Sequence, residues 1–276
     1  MGSNEHEDHA KRWLVAPGSE VRLADIDTRS KAGAPGDKLA TSFVAQQMVQ
    51  KLGEWQTKLW ADRSQALLMV LQAMDAGGKD GTIRTVFTGV NPQGVRVASF
   101  KAPTPLELEH DFLWRIHQET PGHGEMGVFN RSHYEDVLIV RVDDLAPEEV
   151  WRARYDQIRN FEATLAASGT TVVKFFLHIS KDEQARRLQA RLDDPTKRWK
   201  FAAADLDVRN HWDDYQRAYE DAISETSTAA APWYIIPADR KWYRNWAILQ
   251  VLLATMERLD PQFPPEEPGL SDLKVV

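Results

Sequence analysis

Apolar residues along this chain follow two alternating rhythms: short continuous runs, and longer stretches at helical spacing. Leu67 to Leu71 is an apolar run of strand length that ends in a polar, glycine-bearing segment. Val95–Phe100, Met126–Phe129, Thr171–Ile179 and Trp233–Pro237 also read as strands. From Asp37 to Ser64, Leu39, Phe43, Met48, Leu52, Trp55, Leu59 and Trp60 recur at helical spacing, and Gly53 marks a place for a kink or a division. A second amphipathic stretch, Pro147 to Ala167, carries Val150, Trp151, Tyr155, Ile158, Phe161 and Leu165 and stops at Gly169. Further helices are predicted from about 205 to 224 and from about 241 to 259. Thr104-Pro105-Leu106-Glu107 has the form of a capping box, opening a helix that carries Leu106, Phe112, Leu113 and Ile116. Ser180 with Glu183 has the same form and opens a helix through Leu192. Val137–Val142 has strand periodicity, but it follows the 126–129 run too closely to be its parallel neighbour, which needs a crossover. Helix is therefore predicted there.

Strands alternating with helices predict one α/β domain of three layers, α/β/α, with a parallel sheet of about five strands and ligands at the strands' carboxyl ends. That domain spans 37–260. Residues 1–36 are polar and predict a mobile or draped arm, in which His6 and His9 read as metal ligands or as part of a solvated tail. Residues 193–204 form a charged, proline-containing loop, and 261–276 an irregular tail.

Composition narrows the chemistry. The 276 residues contain no cysteine, which excludes disulfides, thiolate metal sites and thiol nucleophiles. A net charge of -7 argues against general nucleic-acid binding, so any polyanion must meet local positive charge. No apolar run approaches the ~20 residues that span a bilayer. A cytoplasmic protein with no membrane partner is the expectation.

The first strand leads into Asp75-Ala76-Gly77-Gly78-Lys79-Asp80-Gly81-Thr82. A strand, a glycine turn with lysine and a helix in that order build an anion cradle from converging N–H groups, the helix N-terminus and a point charge. Against the P-loop pattern, Ala73 takes the first glycine position and Asp80 the Ser/Thr position, leaving Thr82 as a displaced hydroxyl. Asp75 in such a loop repels phosphate unless a metal lies between them; it reads as a Mg²⁺ ligand or as a loop-fixing side chain. After the third strand comes Asn130-Arg131-Ser132-His133-Tyr134-Glu135-Asp136, where an arginine can grip phosphate bidentately.

Together the two segments resemble the polyphosphate kinase 2 family, most closely its third class, which acts on AMP and ADP. Phe100-Lys101-Ala102-Pro103, Asp111–Arg115 and Arg191–Lys200 match as well, so the resemblance covers roughly residues 37 to 260. It implies a thymidylate-kinase-like P-loop fold with a helical lid at about 186–204. The implied reaction is reversible, Mg²⁺-assisted, in-line phosphoryl transfer between inorganic polyphosphate and AMP, ADP or ATP. Mn²⁺ is an alternative metal, guanine nucleotides are alternative substrates, and a homo-oligomer (dimer or tetramer) is expected. Most of the family has Asp where this chain has Asn130 and Asn where it has Glu135. Asn130 is thus expected to meet the metal only through water, leaving direct ligation to Asp75.

The catalytic set is Asp75, Lys79, Arg131 and Arg198. Ala76 to Thr82 with Arg84, Lys101 and Arg115 are assigned to polyphosphate, Lys58 and His117 being weaker candidates. Asn130, Arg131, Glu135, Asp136, Arg191, Lys197 and Lys200 are assigned to the nucleotide. Arg186 and Arg187 read as a solvated helix face. The competing enzyme is an NTP-dependent nucleoside monophosphate or small-molecule kinase. A GTPase-type switch lacks its Asn-Lys-x-Asp signature anywhere in the chain.

Overall fold

The computed structural model describes residues 3–270 and Leu273. In chain order, α1 (Ser3–Ala10) precedes the long α2 (Lys38–Asp62), then β1 (Ala66–Gln72) and α3 (Lys79–Val86). β2 (Val95–Ser99) is followed by two short helices, α4 (Pro105–Leu108) and α5 (Trp114–His117), and by β3 (Met126–Asn130). A 3-10 turn at His133–Val137 leads to α6 (Ile139–Val142) and α7 (Glu148–Ala167). Then come β4 (Thr170–His178), α8 (Lys181–Asp193), α9 (Ala204–Asn210), α10 (Trp212–Thr226), β5 (Trp233–Pro237) and α11 (Lys241–Leu259).

The five strands form one parallel sheet in the order β2-β3-β1-β4-β5. β1 lies at its centre and is buried at every position, which is why its sequence is a continuous apolar run rather than an alternation. Leu71 stands beside Asn130 on β3 and Phe175 on β4. That register brings the loops leaving all three strands to one edge of the sheet, where open α/β sheets bind ligands.

Several expected elements are cut differently. α2 runs unbroken through Gly53, because the glycine serves packing: a Cβ there would stand 2.5 Å from the Gly89 carbonyl oxygen. The Thr104 capping box forms, but its helix ends after one turn, leaving Leu106 exposed. Asp111 then accepts from the Leu113 N–H and helps open α5 as a separate piece. Ser180 caps α8, yet Glu183 does not return the bond; its carboxylate takes Arg186 and Arg187. The 205–224 helix divides at His211, whose dihedrals (φ -91°, ψ 24°) leave the helical region so that Trp212 enters the core. No strand forms at 137–142: Val137 closes a 3-10 turn, Leu138 (φ -106°, ψ -85°) follows, and Ile139–Val142 is the helix the crossover argument favoured.

The arm is draped. Val15 N–H donates to Trp233 O and Ile235 N–H to Trp13 O, each at 2.9 Å, so the arm pairs antiparallel with β5 at Leu14 and Tyr234. Its Trp13, Val15, Val21 and Leu23 side chains are buried. His9 packs edge-on against the Trp246 ring and His6 meets Gln250, so neither lies in a solvated tail. Among the described residues no group of three His, Asp or Glu side chains could hold a metal by itself.

Candidate active site

β1 delivers the chain into a turn with unusual backbone geometry. Ala76 and Gly78 have positive φ, 61° and 104°. Only glycine adopts the second without strain. Gly77 is needed for space, since a Cβ on it would lie 2.4 Å from the Ala73 Cβ. Lys79 opens α3, and its Nζ donates to the Ala73 carbonyl at 3.0 Å. Burial, and then the charge of Arg131, lower its pKa from the ordinary lysine value. A phosphate oxygen beside Nζ would relieve both penalties by restoring an opposite charge.

The turn after β3 faces this loop. Arg131, at φ 64°, donates to Asp75 Oδ1 at 2.9 Å, and Asn130 Nδ2 donates to Asp80 Oδ1 at 2.9 Å. Asp80 also lies 3.6 Å from Lys200, in the charged segment after α8. Below the surface, Ser132 Oγ accepts from Gln72 of β1 and from the Tyr134 N–H. Tyr134 and His133 then join a buried network with Glu162 and Lys174. The second motif is thereby anchored to β1, α7 and β4 at once.

Two arginines close the loop from the β4–β5 side, and the sequence concealed both. Arg187, read above as solvated, is buried: it donates to the carbonyls of Ala76, Gly77, Ala238 and Asp239 while Glu183 pairs with its Nε. Arg244 of α11 donates to Gly78 O at 3.3 Å, and its pKa falls to about 9, chiefly through burial and then through Arg187. A Cβ on Gly78 would stand 2.2 Å from Arg244 Nη1, a second reason for glycine at that position.

These groups line an open cavity of about 830 Å³. Eleven Lys and Arg side chains border it against three carboxylates, Asp75, Asp80 and Asp205. This is the local positive charge that an acidic chain needs in order to hold a polyanion. Of the candidates, Asp75 to Gly81, Arg84, Lys101, Asn130, Arg131, Arg191, Lys197 and Lys200 meet there, and Trp199, Lys241, Arg244 and Asn245 join them unforeseen.

Other candidates lie elsewhere. Thr82 is fully buried with its hydroxyl facing no partner, so it offers no displaced hydroxyl to the cavity. Arg115 is buried and donates to the Lys101 carbonyl at 2.8 Å, supporting the loop after β2 without lining the cavity. Asp136 pairs with Arg154, and burial pushes its carboxyl up to about 6. Glu135 does not line the cavity either, although its charge, ahead of that of Asp75, helps raise the Arg131 pKa against burial. Arg198 turns to the Leu192 carbonyl, Lys58 rests over the Trp55 ring and His117 packs against Phe161; none of the three lines the cavity.

Residues 38–264 match the model of the polyphosphate kinase 2 family. The chain belongs to that family. A Meiothermus ruber member named AMP/ADP-polyphosphate phosphotransferase is 54% identical over 266 residues, 96% of this chain and 99% of that one. The ADP-polyphosphate phosphotransferase of Rhodopseudomonas palustris is 51% identical over 94% of this chain and 93% of its own. The crystal structure of polyphosphate kinase 2 from Arthrobacter aurescens superposes with a TM-score of 0.92 at 43% identity, covering 96% of this chain and 94% of that one. The parallel five-stranded, three-layer sheet with its Gly-Gly-Lys loop is thus the P-loop kinase architecture of polyphosphate kinase 2 proteins.

Asp75 can serve a divalent metal. Its carboxylate lines the cavity, and only one oxygen is engaged, by Arg131. A divalent ion that keeps waters and takes substrate phosphates needs only one or two carboxylates, so a single side chain in a phosphate cleft can serve it.

Proposed function

We propose that this chain moves phosphoryl groups from inorganic polyphosphate to nucleoside mono- and diphosphates, AMP to ADP and ADP to ATP, and back. The observation that carries this reading is the strongly cationic cavity over a P-loop in a member of this family. The names of its relatives support polyphosphate with AMP and ADP as substrates.

In this reading the N–H groups of Gly78 to Gly81 and Lys79 cradle the phosphates of the reacting end. Arg131, held by Asp75, and Arg191 of α8 offset the charge that spreads over the transferring group. Lys197 and Lys200 border the cavity from the lid segment, and the Lys200–Asp80 contact ties that segment to α3. Closure of the segment would exclude water and favour transfer to a nucleotide over hydrolysis. An acceptor phosphate is already anionic at neutral pH, so no general base is needed, and the site offers no unpaired carboxylate in that role. A divalent ion bound through Asp75, Mg²⁺ or Mn²⁺, would supply further charge neutralisation. Asn130, a neutral amide whose Nδ2 donates to Asp80, would meet such an ion through water. Guanine nucleotides as alternative acceptors, a homo-oligomeric assembly and a cytoplasmic setting belong to the same proposal.

The test is to incubate AMP, ADP and GDP separately with polyphosphate and Mg²⁺ and to separate the products. ADP and ATP both forming from AMP is the expected result; ADP alone refutes the third-class assignment. Folded Lys79→Ala protein should give no transfer. Retained polyphosphate-dependent ATP synthesis in that variant would overturn the site, and activity with ATP as the only donor would favour an NTP-dependent kinase.

A further inference from the structure

The P-loop turn is held from behind, and the hold begins in the arm. Three consecutive carbonyls of the turn accept from α8: Asp75 O from Gln184 Nε2 at 3.1 Å, and Ala76 O and Gly77 O from Arg187 Nη1 at 3.1 and 2.9 Å. Both donor side chains are buried. Ala76 is an L-residue at φ 61°, a conformation that persists only where the surroundings over-determine it. In a trans peptide the N–H points opposite to the C=O, so the bond from Arg187 to Gly77 O also turns the Gly78 N–H away from α8.

α8 is in turn fixed at its N-cap. Ser180 Oγ accepts the Glu183 N–H at 3.1 Å, while the Ser180 N–H and Oγ donate to the two carboxylate oxygens of Asp239, each at 2.9 Å. The Ala238 and Asp239 carbonyls take the remaining end of the Arg187 guanidinium. The last member comes from the arm. Thr28 Oγ1 donates to Asp239 Oδ2 at 2.9 Å, and Thr28 O accepts the Asp239 N–H at 3.2 Å. One carboxylate thus joins the arm, the start of α8 and the end of β5, and neither Thr28 nor Asp239 lines the cavity.

We propose that Thr28 and Asp239 form a positioning clasp for phosphoryl transfer, through which the arm sets α8 and thereby the strained turn of the P-loop. The clasp rests on the function proposed above and brings into it a segment that lies outside the cavity. Loosening it frees the base of α8, and a misplacement of about 1 Å at a reacting centre can cost on the order of a hundredfold in rate.

The test compares wild type, Thr28→Val, Thr28→Ser, Asp239→Asn and Ser227→Ala in polyphosphate-dependent ATP formation, well below their melting temperatures. Ser227 is the control: its Oγ donates to Val15 O at 2.7 Å, tying the arm to the β5 side without touching Asp239 or α8. Thr28→Val should lower kcat at least about fivefold, part of the weight of one hydrogen bond to a carboxylate, with the KM for ADP near that of the wild type. Thr28→Ser keeps the hydroxyl and should keep the wild-type kcat. Asp239→Asn should lose more than Thr28→Val, and if it fails to fold the two Thr28 variants decide. Ser227→Ala should lower the melting temperature and leave kcat unchanged. A folded Thr28→Val protein with wild-type kcat overturns the clasp, as does a Ser227→Ala protein whose kcat falls equally, since the arm would then act through stability alone. A wild type without polyphosphate-dependent transfer overturns the function beneath it.

Discussion

Lys174→Met removes a buried cation from the network that steadies the second motif. Lys174 Nζ donates to Glu162 Oε2 at 2.6 Å, to Tyr134 Oη at 2.8 Å and to the Thr226 carbonyl at 2.8 Å, all fully enclosed. Methionine fills much of the same volume, so the loss is electrostatic rather than a cavity. Removing one partner of a buried ion pair costs about 3–5 kcal/mol, and at roughly 2–4 °C per kcal/mol for a chain of this size the melting temperature should drop by about 6–20 °C. The sign with pH follows from Glu162. In the native protein burial raises its pKa, but Lys174 and His133 outweigh burial and hold it below the ordinary value. Its contribution is therefore present above the unfolded pKa and lost as pH falls through the folded one. Without Lys174 burial dominates, the folded pKa rises, and stability is lost as pH increases. Urea denaturation of both proteins at pH 5 and pH 8 measures this directly: the deficit of the variant should be larger at pH 8. Pairing it with Glu162→Leu should recover most of the loss, because two apolar side chains leave no stranded charge. A deficit below about 1 kcal/mol at pH 8, or one independent of pH, would mean that the pair is neutral or hydrated and would sink the argument.

Gly78→Ala should lower transfer at least about tenfold, since φ of 104° costs an L-residue on the order of 1–3 kcal/mol and the new methyl meets the buried Arg244. Gly81→Ala, whose Cβ meets only Arg244 Nη2 at 3.8 Å, should lose far less when both variants are assayed for polyphosphate-dependent ATP formation. Asp136 has a folded pKa raised to about 6, so its charge opposes folding increasingly as pH rises from about 4 to 6. Asp136→Asn should flatten the pH–stability profile across that window and keep or raise the urea midpoint at pH 8; a wild-type slope in the variant would refute the burial argument. Arg191→Ala should reduce kcat more than Arg198→Ala, because only Arg191 lines the cavity, where it lies 3.7 Å from Asp205.

The architecture was largely legible in the sequence, for a physical reason. A strand covered on both faces is apolar nearly throughout, and the runs at 67–71, 126–129 and 233–237 announce this directly. The P-loop and the Asn130-Arg131 turn were legible because their chemistry sits in contiguous residues. Other features depend on tertiary placement. Arg187 has the local pattern of a solvated helix face, and only the approach of Ala76, Gly77 and Ala238 shows that its donors are spent on carbonyls. Arg115 and Arg198 carry the right charge in matching motifs, but their guanidinium groups turn to the Lys101 and Leu192 carbonyls. Arg244 left one faint signal: it is a charged residue among Tyr243, Trp246 and Ala247 on a helix buried nearly all round. Such a residue needs either a partner or a function, and periodicity alone names neither.

The pairing of Trp13–Val15 with β5 has a consequence for how the molecule is made. These residues precede their partners, Trp233 to Ile235, by more than two hundred positions. Closing so long a span comes late, since the entropy of loop closure must be met before the contact returns anything. Through most of synthesis the arm therefore waits unpaired with Trp13, Val15 and Leu23 uncovered. Only when β5 and α11 are complete can it settle over them. Docking of this segment then comes late in folding, and it covers an outer strand that would otherwise offer its free N–H and C=O groups to a neighbouring chain.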